Sequence, residues 1–126
     1  MPARVLDGGE DAYLRAVARD FARDGRRVLL RFGWEMDRPR NEATDPVAFR
    51  ALWRHVHAVF EDEGATAVEW VWCPTNWAFA PRSRRDPLAW YPGVDVVDWL
   101  CADGYSFYPE KPACVPFEEA FGRFYD

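Results

Sequence analysis

"VLLRFGWEMD", residues 28 to 37, is a short apolar run that ends at a glycine and then sets a glutamate between a tryptophan and a methionine. Val28 to Phe32 has the length and composition of a buried strand, Gly33 closes it, and an acidic loop follows. A carboxyl at such a strand end is either a surface group that happens to lie near tryptophan or a titratable group held in a partly dry cleft. In a dry cleft the charged form is disfavoured, and a carboxyl that keeps its proton near neutral pH suits general acid catalysis. Spacing alone leaves both readings of Glu35 open.

On the N-terminal side, Glu10 to Arg23 sets Tyr13, Val17 and Phe21 four apart with Leu14 and Ala18 beside them, which predicts an amphipathic helix. On the C-terminal side, Thr44-Asp45-Pro46 offers an N-cap followed by proline at the first helical position. The helix it opens carries Phe49, Leu52, Trp53, Val56, Val59 and Phe60 on one side, and Gly64 stops it. Thr66 to Trp72 is rich in β-branched and aromatic residues and reads as a second strand, ended by Pro74. A proline-bearing loop from Cys73 to Tyr91 holds Asn76 and Trp77. Residues 92 to 97 have room for one short helical turn, and Trp99 to Tyr105 is a third strand weakened by Asp103 and Gly104. Pro116 to Asp126 predicts a last helix with Phe117, Ala120, Phe121 and Phe124 aligned.

Strands that alternate with helices imply parallel pairing through crossovers, in either a doubly wound sheet or an arc of a (β/α)₈ barrel. Two features favour the barrel. No glycine-rich phosphate loop follows any strand, and Glu35, Trp72, Asn76, Asp103 and Tyr105 all fall at or after the C-terminal end of a strand, where barrel enzymes build their sites. A whole barrel needs roughly 250 residues. The 126 residues here amount to a partial α/β TIM barrel of about three parallel strands.

Composition narrows the partners. A net charge of −5 leaves no basic face for nucleic acid, and Arg82-Ser83-Arg84-Arg85 reads as a short solvated loop. No stretch approaches the ~20 apolar residues of a membrane span, and Met1-Pro2-Ala3-Arg4 lacks the apolar core of a signal peptide. Most of the seven tryptophans are assigned to the core, and the few at strand ends can stack on a flat ligand such as a sugar ring. Cys73, Cys101 and Cys114 are odd in number and lack C-x-x-C spacing, so free, mostly buried thiols are expected rather than a disulfide or a zinc site. His55 and His57, two apart on a helix, point in different directions, which argues against a shared metal and for structural roles. If the first strand runs regularly to its end, Arg31, Gly33 and Glu35 share the interior face, and Arg31 then needs a carboxylate partner, expected from strands outside this chain.

Three runs, "VLLRFGWEMD", "FRALWRHVHAVFEDEGATAVEWVWCPTNW" and "YPGVDVVDWLCADGY", together resemble glycoside hydrolase family 26, the β-mannanase family of retaining (β/α)₈ glycosidases. The resemblance extends from about Asp7 onward and covers the middle of that family's catalytic domain, roughly barrel strands four to six, so that residues 1–126 form one partial domain. It implies that Glu35, at the end of the fourth strand, is the catalytic acid/base. Asp37 stands where the family has asparagine. Trp72 and Pro74 to Asn76 match the family's W-S-P-N with an inserted threonine and a cysteine for serine, and Tyr105 of the D-G-Y run matches a tyrosine beside the nucleophile. Trp34, Trp72 and Trp77 would offer sugar-stacking surface, with Asn76 and Tyr105 as polar contacts.

The family's nucleophile is a second glutamate on the seventh strand, outside this chain; Asp103 and Glu110 are nearby carboxyls that do not lie in its motif. The resemblance thus implies retaining endo-hydrolysis of β-1,4-mannan by the intact, extracellular protein, with no metal or organic cofactor and with this chain alone inactive. Two other readings stand beside it. One is a non-catalytic truncated remnant or carbohydrate-binding half barrel, which the reading frame after Asp126 would distinguish. The other is a related glycanase acting on β-1,3-xylan or mixed-linkage β-glucan.

Overall fold

The structure is a computed structural model and describes residues 2–38, 45–105 and 114–125. A short helix α1 (Pro2–Leu6) precedes α2 (Asp11–Asp24), β1 (Val28–Leu30), α3 (Pro46–Asp62), β2 (Val68–Trp72), β3 (Trp99–Leu100) and α4 (Phe117–Tyr125), with 3-10 turns at Asn76–Phe79 and Pro87–Trp90. The strands form one parallel sheet in the order β1-β2-β3. The protein is thus mixed α/β with a three-stranded parallel sheet and flanking helices.

Local chemistry accounts for most of the boundaries. Asp45 caps α3 by accepting from the Ala48 N–H at 2.9 Å, with Pro46 in the first turn. The core forms where α3 lies on the sheet: Phe49, Trp53, Val56 and Phe60 meet Trp70 and Val68, and Ala18 of α2 closes the other side. Trp53 is its centre, with Phe32, Phe49 and Trp70 ring centroids 5.7–6.0 Å away and its indole N–H donated to the Val96 carbonyl at 3.0 Å. His57 packs against Trp70, its ring centroid at 5.1 Å, while His55 bonds Asp11 of α2 at 2.6 Å; each histidine has its own neighbour.

Three expected elements differ. Residues 92–97 form a turn rather than a helix, because Val96 turns its carbonyl to Trp53 and Gly93 lies at a φ of 126°. The expected loop from Cys73 to Tyr91 instead holds two 3-10 turns, the second capped by Asp86 accepting from the Leu88 N–H at 3.0 Å. The third strand is regular only over Trp99–Leu100, yet the chain keeps following β2, with the Cys101 N–H on the Trp72 carbonyl at 2.9 Å and the Asp103 N–H on the Pro74 carbonyl at 2.8 Å.

The thiol expectation is corrected. Cys73 and Cys101 form a disulfide, and Cys114 is free and exposed. The register explains the pairing: Trp72 lies opposite Leu100, so the next residue on each strand faces the other, with Cα atoms 4.4 Å apart.

The sheet face turned away from α3 carries Leu29, Glu69, Val71 and Trp99 by the alternation of strand side chains. Arg27 grips Glu69, with one bond at 2.8 Å, while the Trp99 indole also donates to Glu69 and lies beneath the Arg27 guanidinium. These donors hold the Glu69 carboxyl at about 2, against an ordinary 4.5. Arg19 and Arg15 likewise hold Glu63, just past α3, below the carboxylate range while tying it to α2. A folded-state value below the unfolded one gives stability that is complete above about pH 4.5 and lost as pH falls toward 2. The melting temperature should therefore decline through that window, and Glu69→Gln should flatten the decline. An unchanged slope in the variant would show that the cluster contributes nothing.

Candidate functional site

Glu35 lies in the turn that carries the chain from β1 across the C-terminal edge of the sheet. Gly33 opens that turn at a φ of 57°, and a Cβ there would meet Phe49 at 2.9 Å, so glycine is required both by conformation and by space. Glu35 itself has a φ of 52°, a left-handed conformation adopted by no other non-glycine residue among those described. Such geometry costs on the order of 1–3 kcal/mol and persists only where the surroundings hold it. The restraint is visible: the Glu35 N–H donates to the Cys73 carbonyl at 2.8 Å, and the Arg38 N–H donates to the Glu35 carbonyl at 3.0 Å. Glu35 is 5% exposed, and Arg38 reaches its carboxylate at 2.7 Å.

Because the chain turns after Leu30, strand alternation does not continue to Glu35, and the shared face expected for Arg31, Gly33 and Glu35 does not form. Arg31 is also corrected. Its partner lies within this chain, since the guanidinium meets Asp103 at 2.6 Å.

Asp37 is the most enclosed carboxylate of the site, its side chain fully buried. It accepts from the Thr75 N–H at 2.8 Å and from the Thr75 hydroxyl, while Arg85 approaches it at 3.4 Å and the same Thr75 hydroxyl at 3.2 Å. Arg85 therefore departs from the solvated loop expected for residues 82–85. Sequence reasoning noted both the substitution at Asp37 and the extra Thr75 but did not join them; the joint signal was a carboxylate for an amide on one strand end and an added hydroxyl on the next.

The expected ligand-contact residues divide by exposure. Trp34, Trp77 and Tyr105 are 55%, 41% and 51% exposed. Trp72 is only 2% exposed with the Tyr91 ring edge-on at 5.2 Å, which removes its faces from any stacking role. Its indole N–H has no hydrogen-bond acceptor among the described residues, and neither does the Asn76 side-chain carbonyl have a donor. The Asn76 amide nitrogen is committed to the Ala120 carbonyl of α4 at 2.8 Å, and its backbone N–H to Asp103 at 2.8 Å. Gly104 leaves the room this requires, since a Cβ there would lie 2.8 Å from that amide nitrogen. Glu110 lies outside the described residues. Among those residues no cluster of histidine, cysteine, aspartate and glutamate is arranged to hold a metal ion, and no helix is long and apolar enough to cross a membrane.

Glu35 is thus a buried carboxylate, ion-paired with Arg38, in a restrained turn at the C-terminal edge of a parallel sheet. The chain is similar to known proteins. Endoglucanase H of Acetivibrio thermocellus is 26% identical over 136 aligned positions, covering 96% of this chain and 14% of that protein. β-1,3-Xylanase TXYA of a Vibrio species is 29% identical over 105 residues, covering 82% of this chain and 22% of that protein. The chain has distant relatives among the glycoside hydrolases. It spans less than a quarter of the length of either. No family model matches the chain.

Proposed function

We propose that the chain is part of a retaining endo-glycoside hydrolase of the family 26 type, an arc of a (β/α)₈ barrel in which Glu35 is the acid/base. The observation that carries this reading is the pairing of burial with left-handed backbone at Glu35, at a strand end, in a chain whose distant relatives are glycan hydrolases. A retaining mechanism needs a second carboxyl about 5 to 5.5 Å from the acid, to attack the anomeric carbon while the acid protonates the leaving oxygen. Asp103, which Arg31 engages at 2.6 Å, does not lie in the family's nucleophile motif. By the resemblance, the nucleophile belongs to the seventh barrel strand, outside these 126 residues. Trp34, Trp77 and Tyr105 offer rings to the sugar at the open edge and Asn76 contributes at the base of the same loop, whereas Trp72 packs in the core and holds the strand end. A polymeric substrate fits an extracellular protein, and the mechanism calls for no metal or organic cofactor.

The resemblance favours β-1,4-mannan. The names of the two relatives favour a β-glucan or β-1,3-xylan equally, so the second reading is a glycanase of the same mechanism on those polymers. Release of reducing ends from mannan, β-1,3-xylan and mixed-linkage β-glucan, assayed with a protein that includes the nucleophile strand, separates them. One polymer should be cleaved internally with product formed first as the β-anomer. Initial release of the α-anomer from a β-linked polymer would exclude a retaining mechanism.

A further inference from the structure

The structure assigns Arg85 as a positioning residue that holds the Glu35 turn through Asp37. The turn is fastened to the segment after β2 at two points, by the Glu35 N–H on the Cys73 carbonyl and by the buried Asp37 carboxylate on Thr75. The first fastening is a single backbone bond. The second is an ionised group taken out of water, and it endures only if its charge and lone pairs are met. Thr75 supplies two donors, one to each oxygen, and Arg85 supplies the positive charge while also donating to the Thr75 hydroxyl. Arg85 thus closes a three-residue ring, and its removal leaves the buried Asp37 carboxylate, two residues from the proposed acid, without a cation among the described residues. The loop carrying Arg85 is fastened locally as well, with the Ser83 N–H on the Ala80 carbonyl at 2.8 Å and the Ser83 hydroxyl accepting from the Arg85 N–H at 3.1 Å. Placement of Glu35 is thereby linked to a loop that follows the second strand. The catalytic meaning of that placement rests on Glu35 being the acid/base; the clamp itself does not.

The test uses this chain and needs no turnover. Arg85→Met keeps the length of the side chain and removes its charge and donors, and Arg85→Lys keeps the charge. Asp37→Asn removes the need for a cation. Amide hydrogen exchange at Glu35 and Thr75, and the carboxyl carbon shift of Glu35, are followed by NMR, with amides of α3 as the control for the whole fold. In Arg85→Met, exchange at Glu35 and Thr75 should accelerate about ten- to hundredfold, the loss expected for a hydrogen-bonded charge, with α3 unchanged. The Glu35 carboxyl signal should move, Arg85→Lys should restore most of the protection, and the double variant Asp37→Asn with Arg85→Met should restore both readouts. Exchange at the two amides unaltered by Arg85→Met, acceleration spread equally over α3, or a double variant no better than Arg85→Met would each overturn the assignment. A failure of the glycosidase reading would leave these results standing, because none depends on substrate.

Discussion

Glu35→Gln is expected to slow hydrolysis of polymeric substrate by about 10²- to 10⁴-fold, the usual worth of general acid help. The substitution keeps the shape of the turn and removes the proton that the leaving sugar hydroxyl needs. An aryl glycoside with an acidic phenol leaves without that proton, so formation of its glycosyl-enzyme should proceed at nearly the unaltered rate. The intermediate should then accumulate, because the same carboxyl must later activate water. Steady-state turnover of the aryl substrate therefore falls while a burst of phenol equal to the enzyme concentration appears. Equal slowing of polymer and of the phenol burst would remove Glu35 from the acid role. The comparison has to be made in a protein that includes the nucleophile strand, since the burst requires a covalent intermediate.

The second large effect is on folding. Trp53 has no exposed surface, touches three other rings and donates its indole N–H to Val96, which ties the turn ahead of β3 to α3. Trp53→Ala should cost about 3–5 kcal/mol from lost burial and the cavity left behind. A domain has only about 5–15 kcal/mol in total, and small ones lie at the lower end. Chemical denaturation should show the variant largely unfolded or melting over a broad range, with the near-ultraviolet dichroism of the packed tryptophans lost. A loss below about 1 kcal/mol would mean that the core is centred elsewhere.

What the sequence made legible follows from how local each signal is. The Asp45-Pro46 start and Gly64 stop of α3 are written in adjacent residues, and the stripe from Phe49 to Phe60 repeats at helical spacing; α3 spans Pro46–Asp62 accordingly. Parallel pairing was readable from the alternation of helix and strand. Pairings between distant segments were not. Cys73 with Cys101 and Arg31 with Asp103 depend on the register of β2 against β3 and of the loop that follows it, and register is invisible in composition and motif. Arg85 in a run of arginines reads as a solvated charge until Asp37 is seen to be buried. Trp72 shows the reverse: at a strand end it reads as a stacking platform, but β-strand alternation puts it on the face covered by the helices, with Val68 and Trp70.

The central claim is that Glu35 is the acid/base of a retaining glycosidase, and azide rescue tests it most directly. Glu35→Ala opens room beside the sugar, and azide attacks a glycosyl-enzyme without needing a base. With an aryl β-glycoside as substrate, added azide should raise turnover of Glu35→Ala toward that of the unaltered enzyme, and the product should be the β-glycosyl azide by proton NMR. No azide-dependent gain, or an α-configured azide, would contradict the account.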